Sequence, residues 1–131
     1  AMAGGSVFLL AADHVIGVDG PFKIGLNEVQ IGMPLPVFAV ELARARLSPR
    51  HLNAATGLAR IYSPAEAVEA GYLHQVVPPD QLEEQSLGLA TVLAGALSPA
   101  AFKGTRTRLR GAVAEHVEKT LAADLAEFKI G

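Results

Sequence analysis

The sequence contains no cysteine and no tryptophan. Without thiols it cannot carry a disulfide framework, a zinc–thiolate site, an iron–sulfur cluster or a thiol nucleophile. Lack of cysteine is also compatible with a cytoplasmic location, which is the expectation. Charge is sparse. Only 18% of residues are Asp, Glu, Lys or Arg, and eleven basic against thirteen acidic residues leave a formal net charge of −2. That balance argues against a nucleic-acid partner held by bulk charge. Long hydrophobic runs are missing too. The apolar run at 7–12 is too short to span a bilayer, so no membrane association is expected. Two glycines rather than a basic region precede it, which argues against a signal peptide. The four histidines (His14, His51, His74 and His116) lack metal-ligand spacing, and no metal is expected.

What remains is a globular composition. Half of the 131 residues are hydrophobic, enough for a modest core. Gly4-Gly5-Ser6 reads as a turn opening a short buried helix over 7–12, with Asp13 at its end. Residues 14–18 read as a strand, Asp19-Gly20-Pro21 as a turn and 22–26 as a second strand, a ββα rhythm. Met33 lies in a loop that Pro34 and Pro36 enforce. Helices are expected over 37–47, from Ser48-Pro49 to about residue 58, and from Ser63-Pro64 to Gly71. Glu66 completes a capping box with Ser63. Residues 72–77 read as a strand that Pro78-Pro79 stops. Asp80 then caps a long helix with Leu82, Leu89, Leu93 and Leu97 as its stripe. Ser98-Pro99 opens a last helix whose stripe is Val117, Leu121, Leu125 and Phe128.

Two segments carry chemistry. Gly4 and Gly5 stand at a helix start, where free N–H groups favour negative charge and polarise a carbonyl; the plain alternative is a tight turn. Glu28 follows an apolar segment, where a desolvated carboxylate is a candidate general base; the plain alternative is a solvated loop residue. Lys103, Arg106 and Arg110, with Arg108 beside them, form a basic helix face, read as solvated or as a contact for phosphates.

The order of three segments resembles the crotonase superfamily, the enoyl-CoA hydratase/isomerases. The first is Ala1-Met2-Ala3-Gly4-Gly5-Ser6 with its helix and Asp13. The second is Phe22-Lys23-Ile24-Gly25-Leu26-Asn27-Glu28 continued to Gly32-Met33-Pro34. The third is Ser63-Pro64-Ala65-Glu66-Ala67 leading through Gly71 to Val76-Val77-Pro78. The match covers the C-terminal half of that family's domain. It implies an α/β fold in which residues 1–78 form the C-terminal part of a ββα spiral and 79–131 form C-terminal helices for oligomerisation. It also implies that the other half of the domain lies on another polypeptide or was lost by truncation. The resemblance further implies an acyl-CoA thioester substrate, no cofactor beyond the CoA it carries, and a homo-oligomer, trimer or hexamer. Gly4 falls on an oxyanion-hole donor with Gly5 next to it, and Glu28 falls on one of the hydratases' two glutamates. Val7 stands where the other glutamate belongs, and Met33, Leu35 and Phe38 fall on the acyl pocket. A single carboxylate favours double-bond isomerisation over hydration. A non-catalytic acyl-CoA binder, or another thioester chemistry such as hydrolysis, is the alternative.

Overall fold

The structure, a computed structural model, describes residues 1–127. Helix α1 (Gly4–Ala11) leads to strand β1 (Ile16–Val18), and a 3-10 turn (Glu28–Ile31) precedes α2 (Val37–Arg46). Then follow α3 (Pro49–Ala55), α4 (Pro64–Ala70), strand β2 (Gln75–Val77), a second 3-10 turn (Pro79–Gln81), α5 (Leu82–Ala96) and α6 (Pro99–Glu127). No single described helix is long and apolar enough to cross a membrane.

Local signals set the middle of the chain. In α4 the Ser63 hydroxyl accepts from the Glu66 N–H at 3.4 Å, and the Glu66 carboxylate accepts from the Ser63 N–H at 2.9 Å. The capping box read from sequence is therefore formed, and the helix ends at Gly71. Ser48 makes no side-chain cap; its N–H donates to the Ala70 carbonyl instead and ties α3 to α4. Asp80 does not cap α5 but lies inside the 3-10 turn, because Pro78-Pro79 tightens the chain before the helix begins.

The strands are shorter than their sequence suggests. β1 and β2 pair in parallel, Ile16 with Gln75 and Val18 with Val77. Residues 22–26 are not a strand. This stretch makes two isolated bridges, Gly25 with Met2 and Ile24 with Tyr62, because a different single neighbour flanks it on each side. The approach there is close: a Cβ on Gly25 would lie 3.0 Å from the Arg60 carbonyl oxygen. Ser6, fully buried, locks the same point. Its hydroxyl accepts from the Gly25 N–H at 3.1 Å and donates toward the Ala1 carbonyl at 2.9 Å.

The core gathers Leu10, Ile24, Leu26, Ala43, Leu47, Tyr62, Tyr72 and Leu73. α5 buries none of its residues, and the only buried residue of α6 among the described ones is Asp124. Leu93 and Leu97 of the expected stripe are exposed and line a cavity of about 630 Å³ between α5, α6 and the residues before β1. On α6, Val117 is half-buried and Leu121 and Leu125 are exposed; Phe128 lies outside the described residues. Two of the four cations on the basic face of α6, Arg106 and Arg110, are engaged rather than simply solvated. The Arg106 Nε donates to both Asp13 oxygens at 2.9 and 3.0 Å, and Arg110 donates to the Ala11 carbonyl at 2.8 Å. The cations thereby meet the negative end of α1.

His74 joins α2 to the edge of the sheet. The Val15 N–H donates to its Nδ1 at 3.0 Å, and the Arg46 guanidinium lies 3.0 Å from its Nε2. Both neighbours are donors only, so a neutral ring satisfies one of them and a cationic ring neither. Burial first, then the stacked His14 ring and Arg46, hold the His74 imidazole below its ordinary value.

Two outcomes follow from these ties. Ser6→Ala removes one of the two acceptors of the buried Gly25 N–H, which keeps the Ala1 carbonyl at 3.2 Å, and it also removes the hydroxyl's own bond to that carbonyl. Denaturant unfolding is expected to show a loss of about 0.5–1.5 kcal/mol, and an unchanged midpoint would contradict the role given to Ser6. For His74, whose folded pKa is depressed, the unfolded chain takes up the proton first. Stability is therefore flat above the ordinary histidine range, ~6.5, and falls as pH drops below it. His74→Asn, which keeps an acceptor for Val15, is expected to flatten that acid limb in urea titrations at stepped pH.

Candidate active site

α1 starts without a side-chain cap, so its first-turn N–H groups depend on backbone partners. The Gly5 N–H reaches the Met2 carbonyl and the Ser6 N–H the Ala3 carbonyl, each at 2.9 Å. No acceptor among the described residues takes the Gly4 N–H. The turn that presents it is strained, because Ala3, a residue with a Cβ, sits at φ 48° and ψ −125°. A free N–H at the positive end of a helix is a site for a carbonyl oxygen that is gaining charge.

Glu28 arrives from the other side. The Ser6–Gly25 clamp fixes the chain three residues before it, and the 3-10 turn carries it inward. Gly32, at φ 80°, closes that turn in a left-handed conformation natural to glycine. The Gln30 side chain braces the turn by donating to the Ala59 carbonyl at 2.8 Å. Glu28 is 7% exposed, its Oε2 is buried with no hydrogen-bond partner, and it forms no ion pair among the described residues. The Tyr72 hydroxyl and Asn27 Oδ1 are buried without partners as well. Burial, with Tyr62 and then Glu28 nearby, pushes the Tyr72 phenol far above its ordinary value, so it stays neutral.

Gly4 and Glu28 face one cavity of about 420 Å³, lined also by Ala3, Val7, Phe8, Ile31, Met33, Pro36 and Phe38. The structure thus brings together Gly4, Val7, Glu28, Met33 and Phe38 of the residues read from sequence. Gly5 and Leu35 do not line the cavity: the Gly5 N–H is engaged by Met2, and Leu35 packs against the core. Ala3, Phe8, Ile31 and Pro36 were not legible as site residues. Spacing held a signal for two of them, since Phe8 lies four residues after Gly4 and Ile31 three after Glu28. No signal marks Ala3. Among the cavity residues Glu28 is the single titratable group.

Comparisons with known proteins show the family and the fold. The family model described as Enoyl-CoA hydratase/isomerase matches residues 1–130. The mitochondrial enoyl-CoA delta isomerase 1 of Homo sapiens is 32% identical over 127 residues, covering 96% of this chain and 42% of that protein. Its Mus musculus counterpart is 30% identical, with 96% and 44% covered. The chain therefore spans less than half the length of these curated relatives. Among solved structures, an enoyl-CoA hydratase/isomerase family protein from Pseudomonas syringae superposes with a TM-score of 0.91 at 38% identity, covering 95% of this chain and 54% of that one. The human mitochondrial delta3-delta2-enoyl-CoA isomerase gives 0.88 at 31%, covering 97% and 49%.

Proposed function

We propose that this chain, which belongs to the enoyl-CoA hydratase/isomerase family and carries the α/β architecture of its crotonase fold, moves a double bond in an enoyl-CoA thioester. The observation that carries the reading is the lone, unpaired Glu28 carboxylate opposite a free Gly4 N–H across an apolar cavity. The thioester carbonyl accepts the Gly4 N–H, whose helix end stabilises the enolate; one such donor is worth about 10²–10³ in kcat. Glu28 takes a proton from one carbon and, now an acid, returns it to another two bonds away, shifting the double bond. Hydration needs a second group to hold and activate water, and Val7 occupies the place where the family resemblance puts it. That the curated relatives are named enoyl-CoA delta isomerases supports migration over hydration.

The substrate thus brings its own CoA and no further cofactor enters the reaction. The proposed assembly is a homo-oligomer built on three-fold contacts, and the exposed Leu121 and Leu125 of α6 support a neighbour on that helix.

Glu28→Gln keeps the shape of the side chain but cannot take the proton. Turnover of a short enoyl-CoA is expected to fall by about 10²-fold or more while thioester affinity stays within a few-fold. Retained turnover would remove Glu28 from the mechanism, and wild-type binding without turnover would favour the non-catalytic acyl-CoA binder. Val7→Glu is expected to raise hydration relative to migration. For the assembly, Leu121→Asp is expected to lower the mass measured by light scattering; an unchanged mass would place the contact elsewhere.

A further inference from the structure

Among the described residues two acidic side chains are buried, Glu28 in the cavity and Asp124 on α6, the latter 4% exposed. α2 begins after Pro36, which has no side-chain acceptor for the helix start. Asp124 supplies one from 87 residues away. Its Oδ1 accepts from the Val37 N–H at 3.0 Å and its Oδ2 from the Phe38 N–H at 3.2 Å. Two orphan donors are satisfied, and a negative charge meets the positive end of the helix.

The turn so held is a wall of the cavity. Pro36 and Phe38 line it, and the residues before them run back through Met33 to Glu28. No local cap holds this wall, so its position depends on the docking of α6. Farther up the same helix, Arg106 and Arg110 grip Asp13 and the end of α1. The two anchorages lie about 21–27 Å apart along α6 at 1.5 Å per residue. α6 therefore ties the end of the oxyanion helix to the start of the helix that carries Phe38.

We propose that Asp124 is a positioning residue for substrate selection: by clamping the first turn of α2 it fixes Pro36 and Phe38 and so sets which acyl chain lengths the cavity takes. The selection part rests on the acyl-CoA reading above; the clamp does not.

The test uses Asp124→Ala and the near-isosteric Asp124→Asn, which retains one acceptor and carries the test where Ala fails to fold. Amide hydrogen exchange is followed at Val37 and Phe38, and dissociation constants are measured for two unreactive thioesters, butanoyl-CoA and decanoyl-CoA. Exchange is expected to accelerate at both amides, and the ratio of the two constants to move by about five-fold, the scale of one lost cap, with Asn between Ala and wild type. A role in general stability alone would weaken both thioesters equally and leave the ratio unchanged. Unchanged exchange overturns the clamp, and faster exchange with an unchanged ratio overturns its role in selection. Wild-type protein that binds neither thioester refutes the acyl-CoA reading, and the selection claim with it, while exchange still reads the clamp.

Discussion

A single buried hydroxyl relates the two halves of the site. Ser6 sits in the first turn of α1 and holds the backbone of Gly25 in the extended segment opposite. Two residues before Ser6 is the free Gly4 N–H, and three residues after Gly25 is Glu28. The donor and the base therefore have a common origin, and the distance between them is set by short stretches of chain. The Ala3 N–H to the Gly25 carbonyl at 2.9 Å, and the Gly25 N–H to the Ala1 carbonyl at 3.2 Å, repeat the tie through the backbone. Glycine at 25 is a condition of that approach, since any Cβ would press on the Arg60 carbonyl.

Around this centre, helix ends are satisfied from far along the chain. The last carbonyls of α1 are met by Arg110, and the first amides of α2 by Asp124. Both partners come from α6, a helix that otherwise buries almost nothing among the described residues. α6 is thus held by polar contacts at helix ends more than by apolar packing. Each is a charged group paired with backbone dipoles, which is stronger than an exposed ion pair between mobile side chains.

Legibility in the sequence follows the range of each interaction. The capping box of α4 and its stop at Gly71 are local, and both are found where the residues indicate. The strand expected over 22–26 does not form because a local preference for extended backbone does not report the presence of a partner: the stretch is unpaired except at two bridges. The leucines of α5 report an amphipathic helix and not what covers it, and Leu93 and Leu97 are exposed. In the site, residue type and neighbours make Glu28 and Gly4 candidates, and the motifs around them, as around Val7, single them out. Phe8 and Ile31 enter through helical geometry. Asp124 has no local signature, since its role depends on where α6 returns to the fold, and the same holds for the strained Ala3.

The central claim is that one carboxylate shuttles a proton between two carbons of a thioester. The most direct measurement follows a short 3-enoyl-CoA with the protein in D₂O by proton NMR. The account predicts migration to the 2-enoyl isomer with no accumulation of hydroxyacyl product, and deuterium entering only to the extent that Glu28 exchanges its proton with solvent during turnover. A hydroxyacyl-CoA as the main product, or a substrate that binds and is left unchanged, would contradict it.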